Sequence, residues 1–402
     1  MLQPLRVRAA RRVPALSACR SLAKSPAWRL PSRRGMLLPA APPLAAPSRR
    51  APTWGTDTLF PEALLFARGR FALVEALRLC RAARGVRRVW LPAYLCWPVV
   101  DAVRAAGLAH ALYDVDERLE PRRGGIALAS GDALLVVHYF GLAVATECLR
   151  QRRAGGDVPL IENCAHAVPD PGAGVRLGAL GDLAVFSPRK QAPVPGGGLL
   201  VVNDRELRRL ALRPPDRGLG DRRTALRLGV MLTERLAVGL GVNLLPVKDH
   251  LPVLDAGDGD GRREAALAAP PPARLLGALL RRVDWRAQIG ARQAGYVRLA
   301  ERLAGTRGVT LPVPEPPPGS VPQALPVWVD DPDRVVRGLR RRGVEAMRWP
   351  HREQIAIDRA AFPGARRWLE HSLLLPLGVE LTPRRVDHVA SALGAGLDPD
   401  QP

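Results

Sequence analysis

Short apolar runs without alternation, separated by helical stretches, limit this chain more than any other feature. Ala133 to His138 is one such run, and Leu160-Ile161, Leu183-Ala184-Val185-Phe186 and Leu199 to Val202 repeat the type. A strand that is apolar at successive positions has no solvent face. It must be covered on both sides, as strands are in a parallel sheet held between helices. The intervening segments supply the helices. Phe71 to Ala83 places Leu73, Ala76, Leu77 and Cys80 at helical spacing, and Val99 to Ala106 forms a second helix that stops at Gly107. Further strands are expected at Val89-Trp90-Leu91 and at Ala109 to Tyr113, the latter running into the acidic turn Asp114-Val115-Asp116. The class is α/β, with a mostly parallel sheet flanked by helices.

Beyond this sheet the pattern changes. Residues 205–280 read as helical and arginine-rich, interrupted by Gly257-Asp258-Gly259-Asp260-Gly261, whose acidic spacing suits a surface turn and not a calcium loop. A long helix is expected over Asp284 to Ala304, then a proline-rich loop, Pro312 to Pro318. A strand near Leu325 to Val329, a helix over Pro332 to Arg342, a strand near Val344 to Met347 and a closing helix over Thr382 to Leu393 complete the reading. This divides the chain into a large domain, residues 56–280, and a smaller C-terminal α/β domain, residues 281–396. Residues 1–55 are a basic leader. Its first 50 positions hold eleven Arg or Lys and no Asp or Glu, which fits a start codon set too far upstream or a targeting segment.

The formal net charge is +22 over 402 residues, and half of that excess lies in the leader. The remainder is spread over helical faces such as Arg337, Arg340, Arg341 and Arg342, with no zinc-finger spacing, aromatic RNP-like strand or compact basic helix. No nucleic-acid partner is expected, although a basic surface draws in anionic substrates. Five scattered cysteines with no C-x-x-C pair point to a reducing, cytoplasmic setting without a disulfide framework or a metal site. The most apolar stretch, Leu226 to Val247, is interrupted by Glu234 and Arg235, so no membrane span is expected.

Against this background Lys190 stands out. The chain has 60 Lys and Arg residues, of which only Lys24, Lys190 and Lys248 are lysines. A bias this deep substitutes arginine wherever charge alone is needed. A lysine that survives it, in Ser187-Pro188-Arg189-Lys190 and just before Gly196-Gly197-Gly198, points to chemistry arginine cannot do. A lysine amine can lose its proton and attack a carbonyl, forming a Schiff base; a guanidinium cannot.

Three other segments accompany it. Ala67-Arg68-Gly69-Arg70-Phe71 enters a helix, and a glycine-preceded helix start with an arginine fork suits a phosphate. Leu91-Pro92-Ala93-Tyr94-Leu95-Cys96-Trp97 delivers aromatics from a strand end, for core packing or for stacking on a flat cofactor. Leu160-Ile161-Glu162-Asn163-Cys164-Ala165-His166 places polar groups at the C-terminal end of a buried strand, the edge where open α/β sheets bind ligands. With Val137-His138-Tyr139-Phe140-Gly141 and Leu374-Leu375-Pro376-Leu377, these segments resemble the DegT/DnrJ/StrS family of sugar aminotransferases from about Gly69 to Leu393.

The resemblance implies a PLP-dependent transferase fold of type I, and pyridoxal 5′-phosphate held by Lys190. It implies Gly69, Arg70 and Ser187 near the cofactor phosphate, Tyr94 stacked on the ring, Ala165 on the opposite ring face and His166 beside the 3′-oxygen. It also implies a homodimer, a nucleotide-linked keto sugar as amino acceptor, glutamate as donor, and a place in polysaccharide or secondary-metabolite biosynthesis. Two residues depart from the pattern. Asn163 stands where the family has an aspartate paired with the ring nitrogen, and Ser187 lies closer to the lysine than the family serine does. Asparagine brings no charge to hold a proton on that nitrogen. A second expectation is therefore a PLP-binding homologue whose transaminase activity is weakened or lost.

Overall fold

The computed structural model describes residues 56–122, 125–144, 158–174, 176–211, 222–239, 274–350, 355–379 and 381–398. The leader and the Gly257–Gly261 run lie outside the described residues.

A single turn, α1 (Thr56–Leu59), precedes β1 (Leu64–Phe66) and α2 (Gly69–Arg84). The strands β2 (Arg88–Pro92), β3 (Ala109–Tyr113), β4 (Asp132–Val137), β5 (Leu160–Cys164), β6 (Leu183–Phe186) and β7 (Gly198–Val202) follow, with α3 (Trp97–Ala105) between β2 and β3. They form one seven-stranded sheet of order β1-β7-β6-β5-β4-β2-β3. The pairings from β3 through β2, β4 and β5 to β6 are parallel, and only β7 runs against the other strands, so that its pairings with β6 and with the edge strand β1 are antiparallel. Every residue of β4, β5 and β6 is buried, the burial that an apolar run without alternation requires. The sheet is covered on one side by α2, whose Phe71, Leu73, Val74, Leu77 and Cys80 enter the core.

After β7 come α4 (Arg205–Leu210), α5 (Arg222–Gly239) and α6 (Arg274–Arg281), then the long α7 (Trp285–Leu303). Asp284 caps α7 by accepting the Ala287 N–H, which accounts for the sharp start. A second sheet pairs β8 (Ala324–Trp328) with β9 (Ser372–Pro376), antiparallel and buried throughout. It packs with α7, α8 (Pro332–Arg341) and α10 (Pro383–Leu397) through Tyr296, Leu299, Val335, Leu339, Val389 and Leu393. On α8, Val335, Val336 and Leu339 face this core while Arg337 and Arg341 are exposed, so these arginines are a solvated face.

The sequence reading differs from the structure in several elements. No strand forms over Val344 to Met347; Met347 makes one isolated bridge to Leu374. The three-residue β1 and the helix α9 (Pro363–His371) were not expected, and α10 continues to Leu397. Helix α9 depends on a distant partner. Both oxygens of Asp114 accept from its first turn, Gly364 N–H and Ala365 N–H, each at 2.9 Å. A carboxylate at a helix start satisfies open donors and complements the helix dipole, and here it sits 250 residues away in sequence.

The two sheets meet at the turn after β4. Phe140 has φ 54 and Gly141 φ 80, both left-handed. That geometry turns Phe140 C=O toward Gln323 N–H at 2.6 Å and Gly141 C=O toward Val321 N–H at 3.0 Å. A Cβ on Gly141 would lie 2.0 Å from Val321 O. Gly141→Ala is therefore expected to destabilise the fold by about 3 kcal/mol or more, by backbone strain plus a clash with main chain that cannot rotate aside. Urea unfolding checks this; a loss under about 1 kcal/mol would mean that the segment around Val321 yields.

Candidate active site

The C-terminal ends of β4, β5 and β6 lie side by side, because their pairings set Val137 beside Asn163 and Asn163 beside Val185. Along β5, alternate residues point to opposite faces. Glu162 and Asn163, adjacent in sequence, thus do different work.

Glu162 is fully buried, and its carboxylate is fully engaged. It accepts from His138 Nε2 at 3.0 Å, Gly178 N–H at 3.0 Å, Leu180 N–H at 2.8 Å and Gly181 N–H at 2.6 Å. Burial opposes the charged carboxylate, but the His138 and backbone hydrogen bonds outweigh it and hold the Glu162 pKa below its usual value. Val144 N–H donates to His138 Nδ1 at 3.1 Å, so the proton of a neutral imidazole sits on Nε2, facing Glu162. The residues anchored by Glu162 form the turn that feeds β6, and β6 ends at Phe186, just before the turn that carries Ser187 and Lys190. Glu162 thereby fixes where the lysine segment emerges.

His138, Glu162 and Cys164 bring ligand-type atoms within 4.8 Å of one another. They make a poor metal cage. The carboxylate is spent on four donors, and burial followed by the Glu162 charge pushes the Cys164 thiol well above its ordinary pKa. A protonated thiol is a weak ligand.

Asn163 turns the other way. Its Oδ1 accepts from Ala165 N–H at 3.1 Å, a local turn that commits the oxygen and leaves Nδ2–H as the end offered outward. His166 follows in the same loop. Phe140 N–H donates to His166 Nδ1 at 3.2 Å, so the Nε2 atom carries the proton. Its ring stacks on Phe140 at 5.8 Å and 7°, and meets Trp349 edge-on at 5.0 Å. Burial, then Lys190, then Arg189 push the His166 pKa well below its usual value.

Ser187 to Lys190 form a tight turn in which Lys190 N–H donates to Ser187 C=O at 3.1 Å. Beside it stands the start of α2, which no side chain caps. A Cβ on Gly69 would lie 3.3 Å from Ser187 Cβ and 3.6 Å from its Oγ, so a side chain here would press on the serine that glycine lets approach the helix start. Arg70, in the first turn, lies over the Trp97 ring at 6.0 Å from its centroid. On the far side, Gly198 brings the start of β7 against Arg68, where a Cβ would fall 2.3 Å from the carbonyl carbon.

The structure thus gathers Gly69, Ser187, Asn163, Ala165, His166 and Lys190 at one sheet edge, with Arg70 on the adjoining helix turn. Tyr94 is the correction. Its side chain is completely buried, stacked on Tyr139 at 5.4 Å and packed against Trp368, Phe140 and Trp349. Its hydroxyl donates to Trp349 C=O at 2.5 Å. That ring belongs to an aromatic core and has no open face for a cofactor. Sequence reasoning also passed over Trp349, half-buried against His166; in a chain with aromatics at 4%, a tryptophan outside any apolar run was the available signal.

Residues 98–242 match the model of the DegT/DnrJ/EryC1/StrS aminotransferase family. The chain resembles this family over that segment. It is 27% identical to the UDP-N-acetyl-3-dehydro-alpha-D-glucosamine 3-aminotransferase of Acidithiobacillus ferrooxidans, covering 81% of this chain and 82% of that protein. It is 30% identical to an L-glutamine:2-deoxy-scyllo-inosose aminotransferase of Streptoalloteichus tenebrarius over a shorter match, 36% of this chain and 35% of that one. Among solved structures, the sugar aminotransferase CalS13 of Micromonospora echinospora shares the fold with a TM-score of 0.64 and 20% identity, over 90% of this chain and 100% of that one. Both of these curated relatives are named aminotransferases. No described helix is long and apolar enough to cross a membrane.

His166 gives a pH signature. The unfolded chain protonates this histidine near pH 6.5, whereas the folded chain resists until well below. Stability present above about pH 6.5 is therefore lost as pH falls toward the depressed folded value, by at most about 1.4 kcal/mol per pH unit. His166→Gln keeps a neutral donor and removes the titration. Urea unfolding at about pH 7 and about pH 5 should show a shallower acid loss for the variant than for the parent; equal losses would mean that His166 is not held neutral.

Proposed function

We propose that this protein is a PLP-dependent aminotransferase that transfers an amino group from glutamate to a nucleotide-linked keto sugar. The observation that carries the reading is the placement of Lys190 in the turn that follows β6, where Ser187 lies against Gly69 at the uncapped start of α2.

The donors present suit pyridoxal 5′-phosphate. Ser187 Oγ, Asn163 Nδ2 and His166 Nε2 supply hydrogen-bond donors at one sheet edge, the chemistry that a phosphate and a hydroxylated ring require. In this reading Ser187, Gly69 and Arg70 hold the phosphate with the helix start. His166 Nε2–H would donate to the ring's 3′-oxygen, Ala165 would pack against the ring face and Asn163 Nδ2–H would serve the ring nitrogen. The cofactor, when bound, supplies a conjugated electron sink for the reacting carbon. Lys190 anchors it, and its amine then moves the proton at the substrate carbon. The A. ferrooxidans relative carries a UDP-sugar substrate in its name, which supports a nucleotide-linked acceptor here. A homodimer working in the cytoplasm in polysaccharide or secondary-metabolite biosynthesis belongs to the same reading, as does a division into a large domain, residues 56–280, and a small one, residues 281–396.

A second reading is favoured by one observation. Because Asn163 Oδ1 is committed to Ala165 N–H, the side chain offers a neutral N–H donor. A donor suits an unprotonated ring nitrogen and brings no negative charge to keep a proton there. The ring is then a weaker sink, and the protein binds PLP but turns over slowly or not at all. Exchanging a charged hydrogen bond for a neutral one is worth about 1–2 kcal/mol, or roughly ten-fold in rate.

Purified protein mixed with PLP should show a visible absorption band that disappears in Lys190→Ala and is bleached by glutamate. A band that persists in Lys190→Ala would remove the lysine from its role. Asn163→Asp should raise the single-turnover rate with glutamate by about ten-fold; an unchanged rate would remove the second reading.

A further inference from the structure

Arg292 is a buried cation that neither reading uses. It lies in the middle of α7 with a fully buried side chain, and no carboxylate neutralises it among the described residues. Its fork bonds only to main-chain oxygens: Nη1–H to Gln323 C=O at 3.0 Å and Leu377 C=O at 3.2 Å, and Nη2–H to Gln191 C=O at 3.3 Å. Burial alone lowers its pKa to about 10, so it stays charged at neutral pH. An uncompensated buried charge is expensive to keep, and a neutral side chain would fill the space without that penalty.

What the guanidinium does is reach three segments at once. Gln191 follows Lys190 directly, Gln323 precedes β8, and Leu377 follows β9. Gln191 adds its own ties: Nε2–H donates to His166 C=O at 2.5 Å and Val321 C=O at 2.9 Å. The residue after the lysine is therefore held from the loop that carries His166, from the second sheet and from α7.

We propose that Arg292 is a positioning residue, which through Gln191 fixes the Lys190 turn against the second sheet. This rests on Lys190 as the cofactor lysine. The planar fork explains the choice of arginine, since it spans separated acceptors in fixed directions, whereas a lysine reaches them from a single point.

The scarcity of lysine makes a direct test practical. Full-length protein carrying ε-13C-lysine has three lysine signals, and Lys190→Ala assigns the relevant one. Before PLP is added, Arg292→Met should shift or broaden the Lys190 signal and leave those of Lys24 and Lys248 in place. With PLP, the maximal single-turnover rate with glutamate should fall about ten-fold or more, while apparent glutamate affinity changes less than about three-fold. Arg292→Lys, which keeps the charge and part of the reach, should recover part of both. An unmoved Lys190 signal with an unchanged rate, whatever happens to the melting temperature, would reduce Arg292 to a structural residue. Should Arg292→Met fail to fold, Gln191→Met severs the same link from the other end and is read by the same signals. If PLP gave no lysine-dependent band in the parent protein, the functional reading would fail, while the signal taken before PLP would still decide the tie between Arg292 and Lys190.

Discussion

The buried carboxylate of Glu162 is the interaction on which the site depends. It is an ion with no solvent contact, kept charged by one imidazole N–H and three backbone N–H groups. Four donors converging on one acceptor from β4 and from the turn before β6 lock three neighbouring strands in register at their functional ends. Removing the charge would leave those donors buried without partners, which costs more than a single hydrogen bond contributes. The strand thus carries its anchor on one face and Asn163 on the other.

A second layer of control comes from outside the main sheet. The left-handed turn at Phe140 and Gly141 sends hydrogen bonds to His166 on one side and to Gln323 on the other. Arg292 and Gln191 repeat this connection at the lysine. Both groups that flank the proposed reacting centre, the imidazole and the amine-bearing turn, are therefore tied to the second sheet through main-chain oxygens. Their spacing depends on how the two sheets pack, and not only on the strands that carry them.

Much of this was legible in the sequence for a simple reason. β4, β5 and β6 are buried on both faces, so their apolar runs declare them, and glycines mark the turns between. Lys190, Asn163, His166, Gly69 and Ser187 were legible as a set because strand ends and a helix start deliver them to one edge. Other features were hidden because they depend on distant partners. β1 is three residues long and pairs with β7 far along the chain, and α9 begins where Asp114 caps it from the acidic turn. Tyr94 was misjudged because an aromatic at a strand end looks the same whether it lines a pocket or fills a core; its neighbours Tyr139, Trp349 and Trp368 decide that. Arg292 was invisible among the other arginines, since nothing local distinguishes a buried one from the solvated ones of α8.

The contact between Gly198 and Arg68 has a consequence for how such a site can diversify. There the main chain of β7 touches the main chain that leads into α2, with no room for even one methyl group. Any substitution would push these two main-chain segments apart. That border is closed to variation, so a library seeking altered specificity gains nothing by sampling it. Variety has to enter through side chains on other borders of the site, such as Trp97 or Trp349, which are half-buried and rest on no such backbone contact.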